Sequence, residues 1–212
     1  METLKNTDII TILAAMADVI IENRDYLNEL DGKLGDADFG TSIAGGFMAV
    51  QQLIPELHQV KTGTIVSKVG MTLVKTMGGA SGPLFGTIFM KAGKALGDQL
   101  EIGVKELGLM LTAGLEGVKT LGKSKVGDKT LIDALEPATL AIIHADSAGQ
   151  PLSQATTAAC IAAICGLEAT KTMIASRGRA YYVGERGLGH QDAGATAILM
   201  LFTVIRDYIA QN

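Results

Sequence analysis

The sequence predicts an all-α fold. Apolar residues recur at intervals of three and four along nearly the whole chain, and short breaks rich in Gly, Pro, Ser and Asp separate these stretches. No alternating run is long enough for a strand, since Tyr181-Tyr-Val ends almost as soon as it begins. At 212 residues, 48% of them hydrophobic and 19% charged, the chain has the apolar content of one well-filled domain rather than of a disordered segment.

Each element follows from its own pattern. Thr7 caps a first helix running to about Leu30, with Ile9, Ile12, Leu13, Met16, Val19 and Ile20 as its stripe. Thr41 or Ser42 opens a second helix that ends near Pro55. Thr64 opens a third, carrying Val66, Val69, Leu73 and Met77. Gly78-Gly-Ala-Ser-Gly-Pro83 then breaks the chain, and Pro83 suits the first turn of a fourth helix with Phe85, Ile88, Phe89, Ala92 and Leu96 inward. A fifth spans about Glu101–Leu121, burying Leu107, Met110, Leu111, Leu115 and Val118. Asp128 caps a sixth, kinked at Pro137. The seventh runs from Pro151 to about Ala175. The eighth starts near Asp192, with Ile198, Leu201, Phe202, Ile205 and Tyr208 on one side. The one long connection, Ser176–Gln191, is of a length that is usually functional or disordered.

Several functional classes are disfavoured. A net charge of −4 argues against a nucleic-acid partner, which calls for a basic surface. Cys160 and Cys165 are too few and too close in an apolar helical run for a disulfide framework, and fit a reducing compartment. The first residues lack the basic and apolar regions of a secretory signal, and no run of about 18 apolar residues offers to span a bilayer. The expectation is a cytoplasmic protein with no membrane partner.

Chemistry concentrates in Asp31-Gly-Lys-Leu-Gly-Asp36-Ala-Asp38-Phe-Gly40. Spacings of five and two cannot share a helix face, so the three carboxylates belong to a loop, bent inward where Gly32, Gly35 and Gly40 free the backbone. Crowded carboxylates repel unless a cation sits among them. A hard divalent cation accepts an all-oxygen set, and Mg²⁺ completes its shell with water and phosphate. These residues thus read as a phosphate-handling magnesium site. The same Asp-x-Asp-x-Gly pattern also suits a turn capping the next helix. An EF-hand is excluded, because the glycine is misplaced and no Glu falls at the twelfth position.

Three further stretches invite readings. Gly78-Gly-Ala-Ser81-Gly-Pro83 feeds amides into a helix N-terminus, a setting that binds anions or simply serves as a capped turn. Gly117-Val-Lys-Thr-Leu-Gly122-Lys-Ser124 matches the P-loop pattern formally, but a helical stretch precedes it and Gly127 breaks the chain after it. Arg177, Arg179 and Arg186 offer guanidinium groups in the long connection, either to phosphate or to solvent. His190 beside Asp192 is a general-base candidate or an ordinary hydrogen-bonding group; His58 and His144 offer less.

Four motifs in order, Gly35-Asp-Ala-Asp-Phe-Gly-Thr41, Gly78–Pro83, Gly127-Asp-Lys-Thr-Leu-Ile-Asp133 and Gly184–Ala195, resemble those of the L subunits of dihydroxyacetone kinases, over essentially the whole chain. The resemblance implies a single domain over 1–212, a closed antiparallel barrel of eight helices with a nucleotide site at one rim. It implies two Mg²⁺ on Asp31, Asp36 and Asp38, and ADP or ATP held by Phe39, Gly40, Thr41, Ser42, Ala80 and Ser81. Gly122 and Leu131 would flank the base, and Arg179, Asp192, Ala193 and Gly194 would complete the pocket. With no Trp and 4% aromatic residues, the base would rest on aliphatic surface. Phe39 stands where the family usually has His, and Ala193 where Pro is frequent. The family implies that tightly bound ADP is rephosphorylated by a phosphohistidine protein (DhaM). The γ-phosphate then passes to dihydroxyacetone held by a separate K subunit (DhaK), giving dihydroxyacetone phosphate. The alternatives are an ATP-exchanging kinase subunit and a nucleotide-dependent module that binds a transcriptional regulator.

Overall fold

The computed structural model describes residues 2–58 and 60–212. Among them the elements are β1 (Leu4–Lys5), α1 (Asn6–Glu22), α2 (Arg24–Gly32), α3 (Phe39–Leu53), α4 (Thr62–Thr76), α5 (Ser81–Leu96) and β2 (Glu101–Ile102). Then come α6 (Val104–Gly122), α7 (Ile132–Ser147), α8 (Leu152–Thr170) and α9 (Ala193–Gln211). Short 3₁₀ turns cover Ile54–Glu56 and Arg179–Gly187. The fold is all-α, as expected.

Boundaries moved for local reasons. The first helix is two, because the Asn23 side chain donates to the Val19 carbonyl (2.8 Å) and competes with the helical ladder where the apolar stripe gives out. Asp8 rather than Thr7 ties down the start of α1, accepting the Lys5 amide at 2.7 Å. α3 begins at Phe39, before the proposed caps Thr41 and Ser42. Asp128 does not cap the helix that follows; α7 starts at Ile132. α8 ends at Thr170, five residues short of the expected end. The P-loop-like run lies inside and just past α6, so a helix and not a strand leads into it. β1 and β2 pair antiparallel with Leu4 opposite Ile102, a ladder too short for periodicity to register.

α1 packs on α3, α3 on α4, and so on around to α9, which returns to α1; α2 lies beside α3 and α9. Ile20, Ile43, Phe47, Leu73, Phe85 and Ile132 point into the common core and are at most 1% exposed. Each such side chain contributes about 1.5–3 kcal/mol by leaving water. An apolar cavity of about 110 Å³ remains inside, with Leu13, Phe85, Met110 and Phe202 among its walls. α8 and α9 are long and apolar enough to cross a membrane by length and mean hydropathy, but their inner faces are buried in this core.

Close approaches are set by glycine. A Cβ at Gly70 would stand 2.6 Å from the Gly86 carbonyl oxygen, so α4 and α5 touch backbone to backbone, and Gly63 meets Gly93 and Gly97 in the same way. A Cβ at Gly166 of α8 would overlap the Asp133 carbonyl of α7. That carbonyl has no partner one turn on, because Pro137 has no N–H to return to it.

Candidate functional site

The turn after α2 is organised around Asp31. Its carboxylate accepts the amides of Asp38 (3.1 Å) and Phe39 (3.3 Å), and its carbonyl accepts that of Leu34 (2.8 Å). Leu34 is buried and anchors the turn. Ala37 adopts a left-handed φ of 61°, a costly conformation for a residue with a Cβ, and it lets Asp36 and Asp38 face the same side. One oxygen from each of Asp31, Asp36 and Asp38 lies within 4.8 Å of the others. Arg179 Nη1 pairs with Asp36 Oδ2 at 2.6 Å. The Asp38 carboxyl is pushed up, first by partial desolvation, then by the charge and hydrogen bonding of Asp36; Asp31 adds to this and Arg179 opposes it. This cluster needs positive charge, and its all-oxygen donor set fits a hard divalent cation.

Across from the triad lies a cavity of about 300 Å³, adjoining a second of about 390 Å³. Four helices begin at its edge, since Phe39, Ser81, Leu131 and Ala193 all line the first cavity and stand at the starts of α3, α5, α7 and α9. The positive ends of four helix dipoles therefore converge on one space, which favours an anion, even though Asp31 already takes the Phe39 amide and Asp192 the Ala195 amide. Gly78 and Ser42 join the first two starts, the Gly78 amide donating to Ser42 Oγ at 3.0 Å. Phe39 is buried and tilts against Phe85 with ring centroids 6.0 Å apart. The second cavity is largely aliphatic, with Pro83, Leu84, Val118, Leu121 and Leu131 in its walls.

The stretch 125–133 supports the far wall. Asp133 accepts the amides of Gly127 (2.6 Å) and Thr130 (2.7 Å), while burial pushes its carboxyl up against those two bonds. Asp128 accepts Ser176 Oγ at 2.5 Å and the Lys125 amide at 2.9 Å. Burial acts to raise Asp128, but those bonds and the charges of Arg177 and Lys125 hold it below the usual carboxylate range. Asp192 caps α9 through the Ala195 amide (2.7 Å), and its enclosure pushes its pKa up to about 7, with Asp133 and Asp31 adding and Lys129 opposing.

The structure gathers most of the expected residues. Asp31, Asp36, Asp38, Phe39, Ser42, Ala80, Ser81, Leu131, Arg179, Asp192, Ala193 and Gly194 line the first cavity, and Gly122 lines the second. Gly40 and Thr41 instead face α2: Gly40 packs on the Arg24 carbonyl, and Thr41 exchanges hydrogen bonds with Asn28 at 2.9 Å. His190 is exposed and lines neither cavity. Sequence reasoning passed over Lys129, Thr130 and Gly178, which line the first cavity. Lys129 stood within a quoted motif, yet lysine ordinarily reads as surface.

This geometry can be set beside known proteins. The family model described as the DAK2 domain matches residues 33–207. The chain belongs to the DAK2 family. Among DAK2 relatives, the PEP-dependent dihydroxyacetone kinase, ADP-binding subunit DhaL, of Escherichia coli (strain K12) is 36% identical over 96% of this chain and 97% of its own. The PTS-dependent dihydroxyacetone kinase, ADP-binding subunit DhaL, of Lactococcus lactis subsp. lactis (strain IL1403) is 35% identical over 90% of this chain and 91% of its own. The crystal structure of the C. freundii dihydroxyacetone kinase with AMP-PNP and Mg²⁺ superposes with a TM-score of 0.74 at 27% identity. That match covers 98% of this chain and 35% of the larger one.

Proposed function

We propose that this chain is the nucleotide-carrying subunit of a PEP-dependent dihydroxyacetone kinase, acting in the cytoplasm together with other subunits of that system. The observation that carries this reading is the placement of three carboxylates opposite four converging helix N-termini. An acidic corner facing an anion-attracting wall suits a metal–polyphosphate complex and little else. The names of the relatives, and the AMP-PNP and Mg²⁺ of the C. freundii complex, support the same ligand.

In this reading one domain over 1–212 forms a closed antiparallel barrel of eight helices, with α1 and α2 counted as one broken helix. Asp31, Asp36 and Asp38 would hold two Mg²⁺. Phe39, Ser42, Ala80 and Ser81 present the phosphate wall, with Gly40 and Thr41 shaping it from behind. The base lies on aliphatic surface between Gly122 and Leu131. Arg179, Asp192, Ala193 and Gly194 close the pocket. Bound Mg²⁺ supplies neutralisation of the charge on the entering and leaving phosphate oxygens during in-line transfer. Arg179 trades the Asp36 carboxylate for a phosphate oxygen as the pocket fills, which keeps its charge paired throughout. No side chain here serves as a covalent nucleophile. In the relay reading ADP stays bound and is rephosphorylated by a phosphohistidine donor subunit (DhaM), and the γ-phosphate of the ATP so formed goes to dihydroxyacetone on a separate K subunit (DhaK). A transcriptional regulator as a further partner stands on no observation in this structure.

Asp36→Ala tests the reading. The variant is expected to keep its helical circular dichroism and to lose Mg–ADP binding by about a hundredfold or more, since a metal ligand and the partner of Arg179 go together. Unchanged Mg–ADP calorimetry would remove the metal assignment. Native mass spectrometry of the untreated protein separates the two kinase modes: ADP that survives dialysis supports the relay, and freely lost nucleotide supports ATP exchange.

A further inference from the structure

The segment 171–191 leaves the end of α8, crosses the pocket mouth and returns to α9. Only Ala175 and Gly187 within it are buried, so apolar packing holds little of it in place. Hydrogen bonds hold it instead: Ser176 donates to Asp128 and Arg177 to the Lys123 carbonyl at one point, and one buried ammonium gathers both ends. Lys129 Nζ donates to the carbonyls of Thr170 (2.8 Å), Met173 (3.3 Å), Gly187 (2.7 Å) and His190 (2.7 Å). The first two oxygens lie where the chain leaves α8, the last two where it comes back, and one ammonium joins both limbs.

The placement of this lysine is demanding. It is 1% exposed and adopts a left-handed φ of 60°, which a side chain takes only under constraint. Three N–H groups serve four oxygens, so none is left for a ligand. The carbonyl end of α8, the negative pole of that helix, adds to its hold. Weaker ties run alongside: the Gly189 amide to the Lys171 carbonyl (2.7 Å), and the Asp192 amide to Thr170 Oγ1 (3.1 Å).

We propose that Lys129 is a positioning residue for nucleotide binding: its ammonium pins both limbs of segment 171–191 and so fixes Arg179 against the acidic triad. The inference rests on reading the pocket as a nucleotide site. Lys129 touches no phosphate and acts only through the segment. Removing its charge leaves the helices intact, frees the segment and scatters Arg179.

Lys129→Met removes the charge at similar length, and Lys129→Gln keeps two donors. Hydrogen exchange of the ligand-free proteins is expected to quicken by about tenfold or more across 171–191 while α4 and α5 stay at parental rates. Mg–ADP affinity by calorimetry is expected to fall about tenfold in Lys129→Met and less in Lys129→Gln. Arg179→Ala, costly in the parent, should add less than about twofold in the Lys129→Met background, because coupled groups are not additive. Unchanged exchange in the segment, or a fully additive double variant, would overturn the assignment of Lys129 alone. Parent protein that fails to bind Mg–ADP at all would overturn the nucleotide reading and this inference with it. If neither lysine variant folds, Lys129 serves the whole fold rather than the segment, and the assignment is likewise overturned.

Discussion

Asp192 carries two demands on one carboxyl. It caps α9 by accepting the Ala195 amide, and enclosure raises its pKa to about 7 from an ordinary 3.8. A carboxyl raised in the folded state favours folding while protonated. That contribution is complete below about pH 4 and is lost as pH rises through about 7. Asn caps a helix as well as Asp but does not ionise. In metal-free protein, Asp192→Asn is therefore expected to gain stability over the parent as pH rises from about 4 to 8, by on the order of 1–4 kcal/mol. Urea unfolding at the two pH values measures it, and a gain that shrinks with rising pH would contradict the enclosure. Single residues were unequally legible in the sequence. Asp31, Asp36 and Asp38 announce themselves because crowded carboxylates have few other uses. Lys129 does not, because only the carbonyls that the fold brings around it, from residues 41 to 61 positions away, make it a buried cation.

At the scale of elements, apolar periodicity placed a helix wherever α1 and α3–α9 lie but merged α2 into α1, and its clearest errors fall where side chains act on the backbone. Asn23 breaks the first helix by bonding back to Val19, an act no stripe of hydrophobic residues signals. Asp128 looked like a cap but turns to Ser176, a partner 48 residues away. Glycines were legible as breaks and illegible as contacts. Gly45 in α3 has nothing within 4 Å of a Cβ built on it, whereas a Cβ on Gly166 in α8 would overlap the Asp133 carbonyl. The two substitutions to alanine should therefore separate cleanly. Gly45→Ala is expected to stabilise by about 0.5–1 kcal/mol through helix propensity. Gly166→Ala is expected to destabilise by about 3 kcal/mol or more, since α7 and α8 must part to admit the methyl group. Thermal melts of the pair check both, and similar shifts would mean that the close approach is not maintained in solution.

For the molecule as a whole, the site is a property of one end of the packed helices. Its residues come from the connections after α2, α4, α6 and α8, so every second link in the chain delivers part of the pocket. Ligand binding should then stabilise the entire fold. At a hundred times its dissociation constant, Mg–ADP is expected to add about 2.7 kcal/mol. For a chain of this size that corresponds to a rise of about 5–11 °C in Tm. The same ADP with EDTA should give a much smaller rise in differential scanning calorimetry; an equal rise would argue against metal-dependent binding. The class of fold and the acidic corner were readable in advance because both rest on local patterns. The four converging helix starts were not, since convergence exists only once helices distant in sequence have packed together. One consequence remains in the glycine contacts of α4 and α5. Because the two backbones touch directly at Gly63, Gly70, Gly86 and Gly93, little compliance separates them, and the pair behaves as a strut about 24 Å long. A displacement imposed at Ser81 when the pocket fills is therefore expected to carry along the pair to its Lys61–Asp98 end.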